Sequence, residues 1–293
     1  MSNQQAGILN DVPTHARYLN FSLKAGQRAD AILVALCEMI DGTQTVLGLG
    51  LSLIHALGSE IKGMKEFPVY SGPGFDVPAT PGSLWLWLRG NDAGEIYLRS
   101  RKLQHILAPA FQLDSAINAF RYDVGRDLSG YEDGTENPQG DDALKAAFVS
   151  NQGSGLDGSS FVAVQKWVHN FDLFNAMDAQ QRDNTIGRRI SDNAEIDDAP
   201  ESAHVKRTAQ EDFSPEAFVL RRSMPWNDAH QAGLIFVAFG ASFYAYEALL
   251  NRMTGNEDGI PDALFRFTHP VDGSYYWCPP MKDGSPDLSG LGL

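Results

Sequence analysis

The 293-residue sequence predicts an α+β protein made of two similar halves with antiparallel sheets, and three observations predict it. Alternating apolar runs and helical spacings follow one another in the order β-α-β-β-α-β over residues 1–150. The same order recurs over residues 151–293. A Gly/Ser-rich stretch, "SNQGSGLDGSS", separates the two.

In the first half, "YLNFSL" from Tyr18 alternates as a strand does, and Ala29, Ile32, Leu33, Leu36, Cys37 and Ile40 follow at helical spacing up to Gly42. Leu47, Leu49, Leu51 and Leu53 then alternate with small residues, which predicts a strand with one bulky and one nearly bare face. "SLWLWLRG" (Ser83 to Gly90) is a further strand, Asn91 to about Leu107 a helix, and Phe111 to Tyr122 the closing strand. In the second half, "FVAVQKWVHNF" from Phe161 is a strand and "DLFNAMDAQQRDNTIG" a helix. "FVLRRSMPW" from Phe218 and "GLIFVAFG" from Gly233 are strands, Phe243, Tyr246, Leu250 and Met253 have helical spacing, and "ALFRFTHP" supplies a last strand. An insertion, Arg188 to Pro215, follows the first helix of this half. Two split βαβ units of this kind predict duplicated ferredoxin-like halves of the dimeric α+β barrel type. The halves share the pattern and no obvious sequence.

A net charge of −14 argues against nucleic acid or an anionic membrane as partner, because such surfaces require clustered Lys and Arg. The two cysteines, Cys37 and Cys278, lie far apart without CxxC spacing, so neither a disulfide framework nor a zinc site is expected and a reducing cytoplasm fits. The N-terminus lacks a basic region followed by an apolar run, and no apolar run approaches ~18 residues. A soluble protein that is not exported is expected.

Three constellations could carry chemistry. "SGYEDGTENPQGDD" (Ser129 to Asp142) places five carboxylates in fourteen residues, with glycines at 130 and 134 that allow Asp133 to be held in a tight turn. A calcium loop fails on position, since the sixth residue from Asp133 is Pro138 where a glycine is required. Paired-carboxylate hydrolysis by Asp133 with Glu132 or Glu136, and a plain acidic turn, both stay open. His204, in "ESAHVKRTAQ", is either a structural histidine or a ligand; the other six histidines form no HxH or HExxH pair. In "FVLRRSMPWND", adjacent arginines on a strand face opposite ways, so one turns inward and needs an anion, whether an internal carboxylate or a bound group.

Together these residues carry a resemblance. "GYEDG" (Gly130 to Gly134) matches the GxxDG motif of the dye-decolorising peroxidases, and "AHVKR" followed by "LRRSMPW" resembles the segments bearing that family's axial histidine and distal arginine. The ending "DALFRFTHPVDGSYYW" is similar to the bacterial B-type branch. The resemblance spans nearly the whole chain. It implies a b-type haem in the C-terminal half with His204 as iron ligand, Asp262 as the carboxylate on the other nitrogen of His204, and Asp133 and Arg221 as the catalytic pair acting on hydrogen peroxide. It also makes Arg188 and Arg207 candidates for the haem propionates, Ser223 and Asn137 candidate cofactor contacts, and Arg222 a residue facing away. Small organic reductants and dyes are the implied electron donors, with Trp85, Trp87, Trp167, Trp226, Trp277 and the Tyr275-Tyr276 pair as candidate electron relays. A homo-oligomer is expected. The tail "DGSPDLSGLGL" reads as a mobile end and resembles the segment by which some relatives load into encapsulin shells. Two other classes remain: a haem-handling protein (haem or porphyrin binding, or iron release) with incidental peroxidase activity, and a haem-free α+β barrel enzyme.

Overall fold

The computed structural model describes residues 3–72 and 74–293. Eight strands form an antiparallel barrel: β1 (His15–Leu23), β2 (Thr45–Leu49), β3 (Leu84–Gly90), β4 (Phe111–Phe120), β5 (Ser160–His169), β6 (Met224–Asn227), β7 (Ala232–Gly240) and β8 (Ser274–Cys278). Neighbours run β2-β3-β1-β4 in the first half and β8-β5-β7-β6 in the second, the same ferredoxin-like order met twice. The half-sheets join at two seams, each a single residue pair, Leu49 with Trp277 and Ala119 with Trp226.

Alternation along the strands explains why the barrel closes. On β3, Leu84, Leu86 and Leu88 face outward onto helices α1 (Asp30–Cys37), α2 (Leu51–Ala56) and α3 (Ala93–Leu107), while Trp85 and Trp87 face the barrel interior. Inside, they stack with Tyr18, Tyr276 and Phe239, with ring centroids 5.9–6.5 Å apart. An eight-stranded barrel is narrow enough for side chains alone to fill it. The bare face of β2 has a use here: a Cβ on Gly48 would lie 2.8 Å from the Cβ of Tyr276, so glycine lets β8 approach.

Several expected elements are redrawn. Leu51 and Leu53 belong to α2, which begins directly after Gly50, itself still extended as the residue that precedes the helix. The predicted helix over 172–187 breaks into α5 (Phe171–Ala176) and α6 (Ala179–Ile186), because Asp178 and Gln181 form a reciprocal cap that begins a new helix. α4 (Gly140–Ala147) follows the acidic loop unforeseen. "ALFRFTHP" is a 3-10 turn, Ala263–Arg266, and a three-residue strand, Thr268–Pro270, whereas the closing strand is the aromatic run of β8. The tail does not trail as expected: Leu288 and Leu291 are buried in the core, and the Ser59 hydroxyl donates to the Leu291 carbonyl at 2.6 Å.

Candidate active site

The outer face of the second half-sheet is the floor of a cavity. Gln165, Trp167 and His169 of β5 and Leu234 and Phe236 of β7 line it, their alternate neighbours being turned into the barrel. The facing wall comes from α8 (Tyr244–Met253), with Tyr246, Leu249, Leu250 and Met253, and from the short helix α7 (His204–Arg207). The acidic loop of the first half reaches across with Asp127, Ser129, Tyr131 and Asp133.

His204 and His169 are the histidines that line this cavity, and their partners separate them. His204 Nδ1 lies 2.7 Å from Oδ2 of Asp262, a fully buried carboxylate whose Oδ1 accepts the Leu264 N–H at 2.8 Å. A carboxylate only accepts, so Nδ1 carries the hydrogen, and in the neutral ring Nε2 is the nitrogen with a lone pair to give. No partner engages Nε2 among the described residues. His169, by contrast, uses both nitrogens: Nδ1 meets the Thr268 hydroxyl at 2.6 Å and Nε2 meets Asp127 at 2.9 Å. Burial alone would raise the Asp127 pKa, but the His169 contact and the Ser129 N–H outweigh it and hold the carboxyl below the usual carboxylate range.

Asp133 and Arg221 come together from the two halves, Oδ1 to Nη1 at 3.6 Å, with 22% and 19% of their side chains exposed. Arg222, on the opposite face of the strand, is also inside, donating from Nε to the Ile8 carbonyl at 3.0 Å and from Nη2 to that of Leu9 at 2.6 Å. Arg188 lines the cavity and pairs with Glu136 at 2.6 Å and Glu195 at 3.5 Å.

Three expected cofactor contacts lie elsewhere. Arg207 is buried with its guanidinium on both oxygens of Asp258, at 2.7 Å each, and on the Arg252 carbonyl at 2.8 Å, which ties α7 to the end of α8 and so steadies His204. Ser223 accepts the Val237 N–H at 3.3 Å in a chamber beside the cavity. Asn137 lines that same chamber and binds the backbone of Arg221. The five tryptophans are 0–6% exposed, so none is a surface end for an electron relay; the exposed tyrosines are Tyr97, Tyr122 and Tyr244. The His169–Asp127 pair was not foreseen, since 42 residues separate its members and no motif joins them.

No cluster of three or more His, Cys, Asp or Glu side chains suited to a metal ion occurs among the described residues. A bare ion therefore has no cage here, whereas an imidazole beside an apolar slot suits iron whose other ligands come from a planar macrocycle. Two further features fit such a group: the amide nitrogen of Gln165 and the hydroxyl of Tyr246 are buried at the cavity wall without partners among the described residues.

Comparison with known proteins bears on this geometry. The family model described as "Dyp-type peroxidase, C-terminal" matches residues 124–283, more than half of the chain, and its first matched residues include the Asp133 loop. The chain belongs to the Dyp-type peroxidase family. A curated dye-decolorizing peroxidase from Rhodococcus erythropolis is 29% identical over 290 residues, covering 96% of this chain and 81% of the relative. Among solved structures, a Rhodococcus jostii RHA1 DypB variant in complex with heme superposes with a TM-score of 0.85 at 24% identity, covering 97% of this chain and 96% of that one. The encapsulated DyP-type peroxidase from Mycobacterium smegmatis gives 0.85 at 23% identity, covering 99% and 98%. As a Dyp-type peroxidase, this chain is an oxidoreductase that uses hydrogen peroxide. Among the described residues, no helix is long and apolar enough to cross a membrane.

Proposed function

We propose that a b-type haem occupies the cavity with His204 as its iron ligand, and that Asp133 and Arg221 are the residues that handle hydrogen peroxide. The observation that supports this reading is the contrast between the two cavity histidines: Nε2 of His204 has no partner among the described residues, while both nitrogens of His169 are engaged. Asp262 fixes the His204 tautomer and makes the imidazole a stronger donor. When bound, the haem supplies the electrons that first split the peroxide, and reductants later restore them.

The chain's own residues do the rest. Asp133 as carboxylate takes the proton from the peroxide oxygen that stays and returns it to the oxygen that leaves, which then departs as water. Arg221 donates hydrogen bonds to the oxygen on which negative charge grows as the O–O bond breaks. Arg188 holds a propionate, sharing its guanidinium with Glu136 and Glu195 at the cavity rim. Dyes and small organic molecules are the electron donors, and a haem-handling role has no specific observation in its favour.

The reading extends to a cytoplasmic homo-oligomer; both cysteines are free and buried, as a reducing compartment allows. An encapsulin shell is a further proposed partner, supported by the likeness to the encapsulated Mycobacterium smegmatis peroxidase. The test is direct: protein supplied with haem should show a Soret band and bleach a dye only when peroxide is added. Absence of the band, or bleaching indifferent to peroxide, would contradict the proposal.

A further inference from the structure

The acidic loop is fastened to the strand bearing Arg221 by two side-chain amides. Asn137 accepts the Arg221 N–H on Oδ1 at 2.8 Å and donates from Nδ2 to the Arg221 carbonyl at 3.0 Å. Gln210, 6% exposed, donates from Nε2 to the Glu136 carbonyl at 3.0 Å and accepts the Val219 N–H on Oε1 at 2.9 Å. Leu220–Arg221 pairs along its other edge with Phe239 and Ala238 of β7. Val219 and Arg221, two residues apart, present their backbone groups on the edge turned away from β7, where the amides of Asn137 and Gln210 take the place of a neighbouring strand.

The turn leading to Asn137 is built around the same contact. Gly134 has φ +78°, the Asn137 N–H donates to its carbonyl at 3.0 Å, and a Cβ there would sit 2.8 Å from Asn137 Nδ2. Asp133 immediately precedes that glycine. The bracket therefore joins, within four residues of the loop, the carboxylate on one side to the guanidinium on the other.

We propose that Asn137 and Gln210 are positioning residues that set the 3.6 Å separation of Asp133 and Arg221. The proposal rests on the catalytic reading of that pair given above. The amide offers a donor and an acceptor side by side, whereas an ionised aspartate at 137 keeps the bond from the Arg221 N–H and sets an oxygen against the Arg221 carbonyl. A displacement of about 1 Å at reacting groups can cost ~10²-fold in rate.

The test uses the haem-loaded protein and two readouts. In Asn137→Ala, amide hydrogen exchange at Val219 to Arg221 should accelerate by ~10-fold or more, and the first reaction with peroxide, followed by stopped flow, should slow by ~10–100-fold. Asn137→Asp should fall between Ala and the parent, and it carries the test alone if the alanine variant does not fold. In an Asp133→Ala/Arg221→Ala background the same substitutions should slow the reaction less than 2-fold further, because neither member of the pair is left to misplace. Full additivity in that background, or faster exchange with an unchanged rate, overturns the positioning role. An Asp133→Ala protein that itself reacts at the parent rate overturns the catalytic reading instead.

Discussion

Asp133 and Arg221 are each about one-fifth exposed, open enough to meet a peroxide and dry enough for their charges to count. Removing a preorganised charged donor costs ~10²–10³ in rate, and removing acid-base help costs ~10²–10⁴. Arg221→Ala and Asp133→Ala should each keep the cofactor band and slow the first reaction with peroxide within those ranges, and the double mutant should fall short of the product because both act on one molecule. Stopped-flow rates check this, and two single mutants at the parent rate would remove both assignments. At this scale, legibility depended on motif. His204, Asp133 and Arg221 stand in recognisable segments. Arg207, a cation beside a candidate ligand, suggested a propionate partner because nothing near it in sequence indicates that Asp258, 51 residues on, holds it. His169 and Asp127 left no local trace.

The element that matters most is the loop from Asp127 to Asn137, which belongs to the first half in sequence and lies on the second. At its base Asp127 grips His169 of β5, and at its far end Asn137 grips the Arg221 strand. Because the Asp127 pKa is lowered on folding, its contribution to stability is fully present above the ordinary carboxylate range and is lost as pH falls through the lowered value. The melting temperature of the parent should therefore exceed that of Asp127→Asn at neutral pH, with the gap closing only below about pH 3.8, the usual aspartate value. Asp127→Ala, which strands a buried hydrogen-bonding partner, should cost ~1–3 kcal/mol in chemical denaturation. A gap that persists unchanged in acid would mean that the ionised Asp127 carboxylate does not hold the loop. Strands with clean alternation, such as β3 and β7, were legible as elements, since one period fixes both faces. The breaks were not: a reciprocal cap at Asp178, and a 3-10 turn where Asp262 accepts the Leu264 N–H, are local hydrogen-bond choices that hydrophobic period does not report.

Across the whole molecule, two half-sheets of the same order share one aromatic interior, and the seams between them are a single residue pair each. Repetition of the β-α-β-β-α-β pattern made this architecture legible, its α+β barrel type included; which residues meet at the seams did not show, because a seam of one pair has no sequence signature. The tail is part of the fold, so Leu291→Ala should lower stability by ~2–4 kcal/mol, measured by chemical denaturation, whereas a free tail would leave it unchanged. Whether the cofactor needs Nε2 of His204 is decided by visible spectra of His204→Ala and His169→Ala prepared side by side with haem supplied. His204→Ala should lose most of its haem or show a shifted Soret band, while His169→Ala should keep the parent spectrum. An unchanged spectrum and haem content in His204→Ala would contradict that need.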